Sequence, residues 1–561
     1  MGSGEDDIDD VIETADVEPD AGDYDLAKLP RNDTGNADRL VAREGHNLIH
    51  LDEAGWHWWG GKYWQPGPSR KSPDATLAAQ RVADAIAREA EALKREAKDF
   101  KDAMPAEPPK VKEGETDPYA LERATYRMLC TELELKLKRI DAHFRFGVGS
   151  GNSARINGML AMAEPKLRKR PEDMDRAPFV FNTQSCTLEL GDPEYGHGEI
   201  RQREHRREDY ITRIAGTGYD RAAYNGAGVP RCPEFLRFLE WAQPDLHVRL
   251  FLQRWFGYCL TADNSEQVFM MFYGSGSNGK SVLMIIMETL LGSYAATVPI
   301  EVFLHDDRKR GGDATPELVP LISARLALAS EPEESTRLSE AVTKRVTGGD
   351  KMNVRRLFEG MISIVPKFKV MLSFNNKPQV RGQDEGIWRR ILLVPFNSFM
   401  EKDKEDKGLA KRLIATEGPG ILNWAIEGYR LWREGGLKPP EAVKLATQEY
   451  REESDPIGKF LEVCTDRTTA GEVQATRLYE VYRRWCLVNG HHAFSSTAFG
   501  LKLKAKKITV KKSSVNVYLG IALDLDAVAA LERRPSHNPP ADGDSGGGDP
   551  RDEGGYGDGT R

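Results

Sequence analysis

Between residues 268 and 396 the apolar residues fall into short unbroken runs, whereas the segments on either side carry them at helical or alternating spacing. The runs are Val268 to Phe272, Arg325 to Ser330, Phe368 to Phe374 and Ile391 to Phe396. Each is too short for a buried helix and reads as a strand covered on both faces. Val282, Leu283, Ile285, Ile286 and Leu290 continue as a helix after the first run, so a compact α/β domain is expected over residues 265–400. Upstream, Gly55 to Trp64 alternates as a hairpin turning at Gly60-Gly61, and a helix rich in Ala, Glu and Arg runs from about Ala75 to Ala103. Its aromatics suit packing better than base stacking. Prolines 105, 108, 109 and 118 mark a linker over 104–118, and residues 119–265 mix helices with short strands. Downstream, Leu478, Val481, Tyr482 and Trp485 share one helical face. A second helix capped by Ser495 or Ser496 bears Phe499 and Leu503. Two strands around Lys511 to Ser514 follow, with Val515, Val517 and Leu519 alternating inward. Helix, helix and hairpin predict a winged helix.

Charge changes this picture once it is located. The chain of 561 residues is at −8 overall, but residues 1–25 hold −11 and residues 541–561 hold −4, which leaves the body at +7. A mildly basic body between acidic ends is compatible with a nucleic-acid partner and equally with a solvated surface. The six cysteines form no C-x-x-C pair, so neither a zinc site nor a disulfide framework is expected. An acidic N-terminus and the lack of a long apolar stretch point to a cytosolic chain without membrane contact.

The chemistry starts at Gly274-Ser275-Gly276-Ser277-Asn278-Gly279-Lys280-Ser281, a complete phosphate-binding loop between a predicted strand and a predicted helix. Glycines let backbone N–H groups turn toward phosphates, Lys280 reaches the β/γ oxygens and Ser281 can hold Mg²⁺. An NTPase follows, with ATP and Mg²⁺ as the expected ligands. Leu326 to Ser330 runs into Glu331-Pro332-Glu333-Glu334. Acids at the carboxyl end of a strand beside the loop can orient water and engage the metal, Glu331 first and Glu333 second. Val370 to Phe374 leads to Asn375, whose amide could meet the γ-phosphate, although Asn-Asn is also ordinary turn chemistry. Arg389-Arg390 precedes the last strand. A guanidinium there could complete a neighbouring subunit's site, and on sequence alone a local salt bridge is the favoured reading. Lys502, Lys504, Lys506, Lys507, Lys511 and Lys512 crowd the C-terminal module and could meet phosphates.

The ordered series GSGSNGKS, LALASEPEES, VTGGDKMNVRRLF, FKVMLSFNNKPQV and DEGIWRRILLVPF resembles superfamily 3 helicases, in the branch of poxvirus, phage and plasmid primase-helicases. Phe181 to Leu190, Leu252 to Tyr258 and the tryptophan hairpin resemble that family's helicase-associated region, so the likeness covers most of residues 37–525. It implies an AAA+-like P-loop core with a mixed α+β N-terminal region and a C-terminal winged helix. It also implies that Lys280 and Ser281 bind phosphate and Mg²⁺, that Glu331 and Glu333 are the motif B acids, and that Asn375 is the motif C sensor. Arg389 or Arg390 would be the trans-acting finger. The DNA-contacting hairpin would fall between Asp350 and Lys369, with Lys351, Arg355, Arg356, Lys367 and Lys369 as candidates, joined at the C-terminal module by Lys507, Lys511 and Lys512. Pro332 separates acids that many members keep adjacent, which leaves the roles of Glu331 and Glu333 open.

The expected organisation is an acidic disordered tail over 1–36, a helicase-associated region over 37–264, the ATPase domain over 265–400, a helical connection over 401–457, the winged helix over 458–528 and a disordered tail over 529–561. A primase domain is expected to be missing, since few residues precede the associated region. The leading expectation is an ATP-driven DNA helicase, ring-forming and hexameric, moving 3′ to 5′ in phage or plasmid replication within a bacterial host's cytoplasm. Its partners would be single-stranded and forked DNA, copies of itself, and a replicative polymerase or primase. The alternatives are an origin-binding initiator or loader ATPase, or a primase-helicase by inherited description only, with a packaging or defence ATPase as a further reading.

Overall fold

The computed structural model describes residues 21–533, apart from 53, 68–71, 113–115, 192–198, 306–315, 331–335, 356–360, 381, 383–384, 492 and 513–514. Two short helices, α1 (Ala21–Leu26) and α2 (Asp33–Glu44), open the described chain, so the expected tail ends earlier than residue 36. The reason is specific. Asp23, counted above among tail acids, is buried and accepts from Arg43 at 2.5 Å, while Arg39 and His143 meet the buried Glu89 at 2.8 and 3.0 Å. Buried carboxylates paired in this way fix α1 and α2 against the helices that carry their partners.

A sheet of order β3-β2-β1-β4 follows, formed by β1 (Leu48–Leu51), β2 (Gly55–Trp59), β3 (Trp64–Pro66) and β4 (Arg168–Lys169). Trp56 and Trp64 are buried, Trp64 stacks on Tyr210, and its indole N–H donates to the Arg207 carbonyl at 2.9 Å. The hairpin aromatics therefore serve the core. The long helices α3 (Pro73–Asp102) and α4 (Ala120–Ser150) pack as a pair beside α5 (Ser153–Ala163). Ser72 caps α3, accepting from the Ala75 N–H.

A three-stranded antiparallel sheet, β5 (Val180–Asn182), β6 (Thr187–Glu189) and β7 (Arg201–Arg203), leads to α6 (Pro233–Ala242) and α7 (Leu246–Cys259). These elements do not form a separate body. Phe181, Leu188, Phe235, Phe251 and Phe256 share one apolar cluster with Met270, Phe272 and Leu283 of the central layer.

That layer is a parallel five-stranded sheet built from β8 (Phe269–Tyr273), β9 (Ala295–Thr297), β10 (Leu326–Ser330), β13 (Lys369–Phe374) and β14 (Ile391–Pro395), in the order β14-β8-β13-β10-β9. Between β10 and β13 lie α9 (Glu340–Gly348) and the antiparallel pair β11 (Met352–Arg355) and β12 (Met361–Ile364). Along β8, Phe269 and Met271 enter one cluster and Met270 and Phe272 the other, so both sheet faces are buried and the run reads as unbroken. One face is covered by α6, α7, α8 (Lys280–Leu291) and α11 (Leu409–Gly435). The other is covered in part by α10 (Glu385–Trp388) and α12 (Glu441–Glu453). The expected connection over 401–457 is thus part of the core: Trp424, Tyr429 and Trp432 of α11 are buried in it, and Tyr450 of α12 packs edge-on against Trp388.

The C-terminal unit comprises α13 (Pro456–Cys464), β15 (Thr465–Gln474), α14 (Ala475–Val488), α15 (Ser496–Ala505), β16 (Thr509–Lys511), β17 (Val517–Leu523) and α16 (Leu525–Arg533). Its sheet has the order β15-β17-β16 and its core gathers Phe460, Leu478, Tyr482, Phe499, Leu503, Tyr518 and Ile521. Ser495 is the cap of α15. Two expectations change. Tyr518 and Ile521 point inward, with Val517 and Leu519 half-buried and Val515 exposed, because Gly520 adopts φ +81° and β15 is irregular between Arg467 and Glu472. The unit also runs to Arg533, since Val528 and Leu531 belong to its core. No helix among the described residues is long and apolar enough to cross a membrane.

Candidate nucleotide-binding site

The parallel registers bring the carboxyl ends of β14, β8, β13 and β10 to one edge of the sheet, pairing Pro395 with Tyr273, Phe374 with Tyr273 and Ser330 with Ser373. Crevices at this edge are where open α/β sheets bind ligands. The loop Gly274 to Gly279 leaves β8 there and enters α8 at Lys280. Three departures to positive φ, at Gly276 (+103°), Ser277 (+44°) and Gly279 (+89°), bend it over the helix N-terminus. At Gly274 a side chain is excluded for another reason: a Cβ would sit 2.4 Å from both the Asn278 amide nitrogen and the Phe396 carbonyl oxygen. The Asn278 side chain donates to that carbonyl at 3.1 Å and is buried.

Lys280 is buried, and its ammonium donates to the Gly274 carbonyl at 2.6 Å, to Asn278 Oδ1 at 3.1 Å and to Asn375 Oδ1 at 3.3 Å. The first cation of α8 and the first residue after β13 therefore meet at one point. Ser281 is exposed and lines the same cleft. Loop N–H groups, a helix N-terminus, one ammonium and one hydroxyl form a donor set suited to a triphosphate with a divalent cation.

The cleft encloses about 210 Å³ and opens to solvent. Beyond the loop it is lined by Phe238 and Trp241 of α6, Val282 of α8, Ser373, Met400, Glu405, Asp406 and Leu409. The segment after β14 ties these parts together. Met400 N–H donates to the Ser277 carbonyl at 2.7 Å, Ser398 Oγ to the Trp241 carbonyl at 2.6 Å and Gln243 Nε2 to the Pro395 carbonyl at 2.9 Å. At the rim, Arg412 holds the Asp406 carboxyl below its usual range by a direct hydrogen bond, so this acid is ionised. None of these wall residues stood out in the sequence as functional. The signal was faint: on α6 the buried stripe is Phe235, Phe238, Leu239 and Ala242, and Trp241 is a large aromatic that falls off it.

The remaining candidates divide. Glu331, Glu333 and Arg356 lie outside the described residues, as does the side chain of Arg355. Lys351 is exposed just before β11. Lys369 cannot contact DNA in this fold: it is 1% exposed, its ammonium donates to the carbonyls of Thr261 and Asp263 and lies 4.6 Å from the Tyr258 ring centre, and burial pulls its pKa down to about 7. Lys367 is half-buried and donates to the Asp175 carbonyl at 3.2 Å, which ties it to the region before α6. Arg390 is 9% exposed, with Nε on Thr347 Oγ1 at 3.0 Å and Nη1 on the Gly386 carbonyl, so it braces its own domain. Arg389 is exposed on the far side of β14, in a cleft shared with Trp388, Lys444 and Arg451. In the C-terminal unit Lys504, Lys507, Lys511 and Lys512 are exposed, Lys506 is engaged by Asp455, and Lys502 lies over the Phe494 ring.

Comparison with known proteins follows the same division of the chain. A family model described as D5 N terminal like matches residues 37–244, and one described as Poxvirus D5 protein-like matches residues 452–521. An Acanthamoeba polyphaga mimivirus protein named "Putative helicase L207/L206" is 31% identical over 269 residues, covering 44% of this chain and 28% of its own length. A Frog virus 3 protein named "Putative helicase 022R" is 24% identical over 311 residues, covering 52% of this chain and 31% of its own. The chain thus spans less than a third of these relatives. Among solved structures, the NrS-1 C-terminal region (305-718) aligns at 11% identity with a TM-score of 0.36, covering 62% of this chain and 97% of that one. The two family models match in order, one before and one after the parallel sheet, and together with the viral relatives they support a poxvirus D5-like primase-helicase family member.

Proposed function

We propose that this chain is the motor portion of an ATP-dependent DNA helicase, with an AAA+-like superfamily 3 core and a C-terminal winged helix. The observation that carries the reading is the meeting of Lys280, Asn278 and Asn375 at the loop between β8 and α8. A phosphate cradle with a polar amide from the neighbouring parallel strand is what a machine needs when it must both hold a triphosphate and register its hydrolysis. In this reading the loop N–H groups and Lys280 bind the phosphates, and Asn375 hydrogen-bonds the terminal phosphate or the attacking water. Ser281 and Glu331 would hold Mg²⁺, which neutralises the developing phosphate charge. Glu331 or Glu333 orients the water. The names of the viral relatives support a helicase, and the exposed lysines of the C-terminal unit are compatible with a nucleic acid as the polymer acted upon.

Arg389 fits a trans-acting role better than Arg390. It is exposed on the opposite edge of the sheet from the chain's own Lys280, where it could serve only a neighbour. A ring, of hexameric size and 3′-to-5′ polarity by family likeness, follows from that assignment. The test is displacement of a long strand from a forked substrate. ATP-dependent displacement supports the helicase; hydrolysis without displacement would favour an initiator or loader instead.

A further inference from the structure

The cleft has a phosphate end and an apolar end, and the apolar end is built by α6, which precedes the nucleotide-binding sheet. Trp241 is half-exposed and faces the cleft together with Phe238, whose ring centre is 6.3 Å away at a tilt of 38°. Met400, Leu409 and Val282 complete the wall. The wall is held in register with the phosphate loop. Phe238 packs against Gly279, where a Cβ would meet its ring at 3.1 Å, and the Ser398–Met400 segment binds both the Trp241 carbonyl and the Ser277 carbonyl. Glu417 of α11 fixes α6 itself, accepting from the N–H groups of Glu234 and Phe235 at 3.0 and 2.8 Å. A half-exposed indole lining a cleft, with its backbone carbonyl and its helix both anchored, offers an apolar surface suited to a flat heterocycle.

We infer that Trp241 is the platform on which the base of the bound nucleoside triphosphate stacks, with Phe238, Met400 and Leu409 closing the pocket around it. The inference rests on the reading of the glycine-rich loop as a phosphate cradle. It makes the region before the sheet a direct contributor to nucleotide affinity rather than an accessory to it.

The test compares ATP with inorganic tripolyphosphate, which has phosphates but no base, on the full chain. Trp241→Ala should weaken ATP about 5- to 150-fold, the equivalent of roughly 1–3 kcal/mol of base stacking. Its affinity for tripolyphosphate should stay at the wild-type value, and Trp241→Phe should recover most of the lost ATP affinity. An ATP affinity unchanged in Trp241→Ala, or an equal loss for both probes, overturns the platform. Lys280→Ala separates the two readings. Loss of both probes in that variant supports the cradle on which the platform depends, whereas wild-type affinity for both overturns the cradle and the platform with it.

Discussion

Substituting Gly257 by alanine tests whether α7 and α11 form the seat of the nucleotide site. The two helices cross backbone to backbone: a Cβ at Gly257 would lie 1.9 Å from the Tyr429 nitrogen, and one at Gly428 would lie 1.8 Å from the Gln253 carbonyl oxygen. Ordinary contact begins near 3.4 Å, so one methyl group must push the helices apart by about 1.5 Å, and dense cores absorb far smaller changes poorly. The displaced crossing carries the edge-on pair Phe256–Trp424 at 5.2 Å and the hydrogen bond from Gln253 Nε2 to the Trp424 carbonyl at 3.0 Å. Overpacking at about 1–3 kcal/mol, with roughly 1 kcal/mol for the strained hydrogen bond, gives a loss of about 2–4 kcal/mol. Gly149 in α4 is the control. Its nearest neighbour would be 3.9 Å from a Cβ, so Gly149→Ala should stabilise by about 0.5–1 kcal/mol. Urea unfolding combined with hydrogen exchange across Leu246–Cys259 reads both effects. Because α11 also carries Glu417, the cap of α6, nucleotide affinity should fall with the stability. A wild-type midpoint and unchanged protection in Gly257→Ala would refute this account of the crossing.

Further outcomes follow from individual side chains. Lys369 titrates near pH 7 in the folded chain and near 10.5 when unfolded, so the unfolded state binds the extra proton between those values; stability should rise with pH across that window, and Lys369→Met should flatten the rise in pH-dependent thermal unfolding. Arg389→Ala should leave ATP binding and the melting temperature unchanged while cutting hydrolysis about a thousand-fold or more, with partial recovery on mixing with Lys280→Ala subunits. Arg390→Ala should instead lower stability by about 1–3 kcal/mol through its lost contacts to Thr347 and Gly386, and equal behaviour of the two variants would contradict the division of roles. Deleting the unit from Pro456 onward should reduce the salt dependence of duplex binding, by about three to four units of the log–log slope for the exposed Lys504, Lys507, Lys511 and Lys512. Titrations at several salt concentrations check this.

The sequence made the central sheet readable because its strands are buried on both faces, which leaves unbroken runs such as Phe269–Tyr273 and Lys369–Phe374. It concealed β9, whose Ala-Ala-Thr is too short and too small to stand out, and β15, whose one buried face leaves Thr-Asp-Arg-Thr-Thr looking like a loop. On β17 the rule of alternation failed at Gly520, where a positive φ turns Ile521 back to the face that Tyr518 already occupies. Counting charge misplaced the start of the fold, since Asp23 adds to an acidic stretch in the sequence but is consumed by Arg43 in space. For the site, the loop and Asn375 were legible because each motif is local. Phe238, Trp241, Met400 and Leu409 were not, since they come from three separate segments that only the tertiary fold brings together. Lys369 and Arg390 show the converse failure: a basic residue between functional motifs is no evidence of exposure.

The cleft at Lys280 is proposed to bind and hydrolyse a nucleoside triphosphate. DNA-stimulated ATP turnover by wild type and Lys280→Ala, with far-UV circular dichroism on both, tests this most directly. A folded variant without measurable turnover is expected; near-wild-type turnover in Lys280→Ala would rule out this role for the cleft.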